Sequence, residues 1–189
     1  MTKYSEILKK ISKSIPLWGW TLILVVTGAF RSLFVAEMTF NGYGNLFSAS
    51  IGSFVLLLAL LGVAYAFLTR IGVRIIYSVG ARLYFRNTAY VPDYNLRRLP
   101  LSYGDFCALG LMLSCVYNLF SVAFNLLTYA VPTAYYLWLF LGNLIRICIF
   151  VMGWFVIRAD VSDWQVKRLF ISLGIPTLFV LILCVLGGV

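Results

Sequence analysis

The chain has 189 residues, of which 62% are hydrophobic, 17% aromatic and 11% charged, with a formal charge of +9 and no histidine. An ordinary soluble domain is about half apolar and about a quarter charged, so the composition reads as an integral membrane protein, and the positive charge is not taken as a sign of nucleic-acid binding. The absence of histidine excludes a Ser-His hydrolase, a His-ligated haem and an H-E-x-x-H metalloprotease.

The N-terminal "MTKYSEILKKISKSIP" places Tyr4, Ile7, Leu8 and Ile11 on one helical face and lysines elsewhere. This predicts a short interfacial helix turned into the membrane at Pro16. The apolar run that follows is long and ends in no A-x-A site, which speaks against a secretory signal peptide; Glu6 and the lack of arginine speak against a mitochondrial presequence.

About 20 apolar residues are needed to cross the hydrocarbon, and five runs qualify: about 17–38, 47–68, 105–129, 135–157 and 169–186. The segment 69–104 opens with "TRIGVRIIYSVGARLYFR", where Arg70, Arg74, Arg82 and Arg86 are spaced four or eight apart beside apolar residues. That predicts a basic amphipathic helix lying at the interface or emerging from the membrane, its arginines in contact with anionic headgroups.

Lys3, Lys9, Lys10 and Lys13 precede the first run. Arg70, Arg74, Arg82, Arg86, Arg97 and Arg98 separate the second from the third, and Arg158, Lys167 and Arg168 separate the fourth from the fifth. The alternate loops "TFNGYGN" and "AVPTA" and the C-terminal "GGV" carry no cation. Thirteen of the fifteen cationic residues thus fall on one side, which predicts a single all-α bundle of five spans with the N-terminus cytoplasmic and the C-terminus outside. A bacterial inner membrane or an internal organelle membrane suits this arrangement.

Glu37 and Asp105 approach the ends of spans, and no acid lies at a span centre. Neither a cation-coupled carrier nor a metal-dependent lipid-phosphate transferase is expected. No cofactor or metal site is expected either. Cys107, Cys115, Cys148 and Cys184 lie in or beside apolar runs without C-x-x-C spacing and read as small hydrophobes.

The third run carries Ser114, Asn118, Ser121, Asn125 and Thr128 at spacings of four, three, four and three, a single polar stripe. It reads either as a packing seam between helices or as a substrate or water path. The fourth run carries Arg146, with Asn143 one turn away. An unshielded arginine there costs roughly 3 to more than 10 kcal/mol. The short link "YAVPTAY" makes the third and fourth runs an antiparallel hairpin, in which Arg146 and Asn118 are expected to meet near mid-membrane, so that amides and carbonyls solvate the guanidinium. Arg31, about 10 Å from the outer end of the first run at 1.5 Å per residue, is close enough to snorkel outward. Both arginines read as structural anchors or as an anion or anionic-headgroup site.

The stretch "RRLPLSYGDFCALGLMLSCVYNLF" before and within the third run, the tight hairpin containing Pro132, and "MGWFVIRADVSDWQVKRLF" leading into the last run together resemble the layout of the Yip family of Rab-interacting membrane proteins and their bacterial relatives. The resemblance implies a five-span protein of trafficking type and carries over no site residue. The resulting expectation is a non-enzymatic membrane scaffold or trafficking component acting through helix–helix and membrane-surface contacts, with other membrane proteins or further copies of itself as partners. The alternatives are a small channel or carrier built on the polar stripe and Arg146, or an accessory subunit of a large membrane complex.

Overall fold

The computed structural model describes residues 3–40, 51–87, 89–90, 99–158, 161 and 163–186. The start of the second predicted run at 47–50, Arg97 and Arg98 lie outside the described residues, as do the side chains of Glu37 and Thr128. All regular structure among the described residues is helical. In chain order the helices are α1 (Lys3–Ser14), α2 (Leu17–Phe40), α3 (Ile51–Asn87), α4 (Tyr103–Ala130), α5 (Tyr135–Arg158), α6 (Asp163–Leu169) and α7 (Ile175–Leu186). A single 3-10 turn, Pro132–Ala134, joins α4 to α5, and a π turn, Phe170–Gly174, joins α6 to α7. Among the described residues three helices are long and apolar enough to cross a membrane, over Val55–Arg86, Tyr103–Leu127 and Tyr136–Arg158; a fourth crossing is added if α1 and α2, which meet at 93°, form one broken span.

Pro16 sets the corner between α1 and α2. The residue before a proline is pushed out of helical geometry, while a proline at the start of the next helix loses no hydrogen bond, because its N–H would be unpaired there anyway. Trp20 braces the corner: its buried ring donates from Nε1 to the Ser12 carbonyl at 3.0 Å. Trp20→Phe keeps the packing but orphans that carbonyl, so unfolding in detergent should show a loss of about 1 kcal/mol. An unchanged unfolding midpoint would mean that the bond does not hold the corner.

The start of α4 is capped by Ser102, whose hydroxyl accepts from the Asp105 N–H at 3.1 Å. The Asp105 carboxylate sits in the first turn, where the helix end is electropositive, and pairs with Lys13 at 3.1 Å, tying the end of α1 to α4. Both partners are well exposed, and such pairs contribute about 0–1 kcal/mol. The pair therefore fixes where α1 lies more than how stable the bundle is.

α4 packs against α1, α2, α3 and α5. Where α2 crosses α3, glycines replace side chains: a Cβ at Gly62 would collide with the Val25 carbonyl, and one at Gly28 with the Tyr65 ring. Small residues at such crossings let backbones approach closely. A second crossing sets Gly80 of α3 against Leu173 and the Ser172 carbonyl in the π turn. Pro176 lacks the N–H that would bond that carbonyl from four residues on; the backbone takes a wider turn, with the Ile175 N–H donating to the Phe170 carbonyl.

The predicted second span and the basic segment after it are one helix. α3 has 37 residues, about 55 Å at 1.5 Å per residue, against about 30 Å of hydrocarbon. It persists because its far half is packed: Val73 faces Gly110, and Tyr77 meets Tyr103 and Phe106 at 5.4 and 5.6 Å between ring centroids. The Tyr77 hydroxyl donates to the Leu101 carbonyl at 2.9 Å, and Tyr84 is fully buried. The outer face of this half carries Arg70, Arg74, Arg82 and Arg86, all exposed, interleaved with exposed Ile71, Ile75, Val79 and Phe85. Apolar residues thus lie on both faces: one set packs on the bundle and the other stands among the arginines.

Candidate functional site

The polar residues of the interior converge where α2, α3, α4 and α5 pass one another. Arg31 on α2 is 93% buried, with 7% of its surface exposed, and its Nη1 donates to the Tyr65 hydroxyl at 3.1 Å. Tyr65 in turn donates to Oδ1 of Asn118 at 2.9 Å. Nδ2 of Asn118 donates to the Thr27 hydroxyl at 3.3 Å, which donates to the Ile23 carbonyl at 3.0 Å. The bonds all run in one direction, from the guanidinium to a backbone carbonyl, so both the oxygen and the nitrogen of the Asn118 amide, which has no exposed surface, are engaged.

Tyr117, the next residue on α4, joins the second arginine. The Arg31 guanidinium carbon lies 5.0 Å from the Tyr117 ring centroid and that of Arg146 lies 4.8 Å from it. Nε of Arg146 also donates to the Tyr117 hydroxyl. Each cation over an aromatic ring is stabilised by about 0.5–2 kcal/mol. The two guanidinium carbons are at most about 10 Å apart, where unit charges repel by about 2 kcal/mol or more at an effective dielectric constant of about 20. Among the described residues no carboxylate contacts either arginine, and the buried Nε of Arg31 has no partner. An orphaned donor of that kind costs about 1–3 kcal/mol.

Several sequence expectations are corrected by this arrangement. Arg146 reaches Tyr117 instead of Asn118, because Tyr65 and Thr27 already occupy the amide. Arg31 turns inward instead of snorkelling, since Tyr65 and Tyr117 lie beside it on the neighbouring helices. In the polar stripe, Ser114 donates to the Gly110 carbonyl of its own helix at 2.9 Å, while Ser121, Asn125 and Asn143 are half-buried and take no part in the network among the described residues. Thr27, Tyr65 and Tyr117 were not singled out in the sequence. The available signal was a hydroxyl within three of the apolar runs: "VVTGAF", "GVAYAFL" and "SCVYNLF".

By α-helical rise, Arg31 lies about 21 Å from Leu17, and Arg146 about 18 Å from Arg158 and 16 Å from Tyr135, so the cluster is far from the ends of its helices. On the other surface, contact with Tyr103 and Phe106 places Tyr77 beside the first turn of α4. Arg82 and Arg86 therefore extend beyond that turn, and Arg74 and Arg70 lie about one and two turns inside it. The two sites share α3 but are separate: a basic column at one end, and two arginines within the bundle.

Together these features define, among the described residues, an all-helical protein with three or four helices able to cross a membrane, and a cationic, aromatic-lined cluster between them. No protein-family model matches the chain, and no curated protein or solved structure is found to be similar to it.

Proposed function

We propose that the chain is a non-enzymatic integral membrane protein of five spans, with its N-terminus cytoplasmic, which acts by holding an anionic membrane surface and membrane-protein partners in contact. The observation that carries this reading is the far half of α3, where four exposed arginines stand among exposed Ile71, Ile75, Val79 and Phe85. Apolar side chains at the acyl boundary and guanidiniums at the phosphate level fit an anionic leaflet, at about 1 kcal/mol per cation. α1, at 93° to α2, adds a second lysine-bearing surface element at the same end, because Lys13 meets Asp105 at the start of α4. The layout shared with Yip-type proteins points the same way, towards a trafficking or scaffolding role.

The rival carrier reading needs the stripe of α4 to line a path. Against it, Ser114 is bonded to its own helix and Asn118 is locked between Thr27 and Tyr65, which supports a packing seam. The test is native mass spectrometry from nanodiscs of mixed anionic and zwitterionic lipid. Wild type is expected to retain several anionic lipids that the Arg70→Gln, Arg74→Gln, Arg82→Gln, Arg86→Gln variant loses. Equal retention would sink the surface role. Transport activity of the purified chain alone in liposomes would favour the carrier.

A further inference from the structure

We propose that the cluster around Tyr117 is a binding site for one phosphate-type oxyanion held between Arg31 and Arg146. This goes beyond the surface role and does not depend on it. Two guanidiniums lie over one tyrosine ring, at 5.0 and 4.8 Å from its centroid, and no carboxylate among the described residues neutralises them. A ring quadrupole attracts a guanidinium without using up its N–H groups, and among the described residues only the Nη1 of Arg31 and the Nε of Arg146 are committed to bonds. Among the described residues the buried Nε of Arg31 has no partner, and its chain through Tyr65, Asn118 and Thr27 holds it in place. The Tyr117 hydroxyl accepts from Arg146, so its own proton remains to be donated.

These donors select an acceptor with several oxygens and at least one negative charge, because guanidinium forks match phosphate geometry and a tyrosine proton adds a further bond. A spherical halide would leave most of them unused. Arg31 is sealed within the bundle, whereas Arg146 is half-buried between exposed Leu144 and Ile147 on α5, so the cluster opens on the α5 side. The same phosphate chemistry is available from inorganic phosphate or from a phosphomonoester lipid such as phosphatidic acid.

The experiment uses the full chain in phosphatidylcholine nanodiscs. One arm titrates inorganic phosphate against thermal unfolding at ionic strength matched with sodium chloride, since a ligand that binds only the folded state raises its stability. The other arm adds phosphatidic acid and counts retained lipid by native mass spectrometry. Stabilisation by inorganic phosphate identifies a free anion; retention of phosphatidic acid alone identifies a lipid-borne one; neither response in wild type overturns the proposal. Arg146→Gln, which leaves the Arg31–Tyr65–Asn118 chain intact, should weaken apparent affinity at least tenfold, and unchanged affinity overturns it. If that variant does not fold, Arg146→Lys keeps the charge but loses the fork and should still weaken binding several-fold, with the same contrary outcome. The variant lacking the four α3 arginines, although it sheds surface lipids, should still be stabilised by inorganic phosphate or still retain the one phosphatidic acid that Arg146→Gln loses; loss of that response would place the phosphate at the surface and overturn the site. A response gained only on Glu37→Gln would show that Glu37 fills the cluster, which also overturns it.

Discussion

Gly62→Ala should destabilise the protein by about 1–3 kcal/mol, and Gly62→Leu should prevent α2 from packing on α3. In a helix interior the exchange of glycine for alanine ordinarily gains up to about 1 kcal/mol, because the unfolded chain loses freedom. At Gly62 the added methyl would meet the Val25 carbonyl, which is backbone and cannot turn aside. Overpacking of this kind costs about 1–3 kcal/mol, so the clash outweighs the gain. Gly72 is the control on the same helix: a Cβ there meets nothing within 4 Å, and Gly72→Ala should be neutral or stabilising. The check is unfolding of the three variants in detergent. If Gly62→Ala and Gly72→Ala moved the midpoint alike, the close crossing of α2 and α3 would be wrong.

The second large effect is expected at Asn118. Asn118→Leu removes the acceptor that, among the described residues, takes the Tyr65 hydroxyl proton, and forces a branched apolar side chain into a site with no exposed surface. An orphaned buried donor costs about 1–3 kcal/mol, and the misfit adds about as much again. The partner identified by coupling is the informative part. In a double-mutant cycle Asn118→Leu should couple with Tyr65→Phe by more than about 0.5 kcal/mol, because the two side chains share a bond, whereas Asn118→Leu and Arg146→Leu should combine almost additively. Strong coupling to Arg146 and none to Tyr65 would contradict the hydrogen-bond chain.

The helical class was legible because apolar runs of spanning length dominate the sequence, and helix is the structure that satisfies its own backbone inside a bilayer. The corner at Pro16 was legible for the same kind of reason, a local steric rule acting on one residue. The single helix from Ile51 to Asn87 was only half legible: charge spacing marks where a helix turns basic, but its continuation depends on Gly80 meeting the π turn and Tyr77 meeting α4, contacts formed far along the chain. The split of the last run is likewise a consequence of Pro176 seen against Gly80.

The interior cluster was legible by residue type and misread in its pairings. Periodicity puts Asn118 and Arg146 on facing helices at similar depth, yet it does not say which neighbour reaches the amide first. Two tyrosines, counted in the sequence as ordinary apolar content, supplied the answer. Tyr65 takes the amide, and Tyr117 takes both guanidiniums. A hydroxyl within a spanning run therefore ranks with an amide as a candidate partner for a buried charge.

The proposed role rests on one membrane face carrying α1, the basic column of α3 and α6 with Lys167. Single cysteines introduced by Lys10→Cys, Arg86→Cys, Lys167→Cys and Thr133→Cys, in a background with the four native cysteines replaced by alanine, test this directly with a membrane-impermeant thiol reagent on sealed vesicles of one orientation. The first three should react from one side and the cysteine replacing Thr133 only from the other. Reaction of the Arg86 and Thr133 positions from the same side would contradict the account.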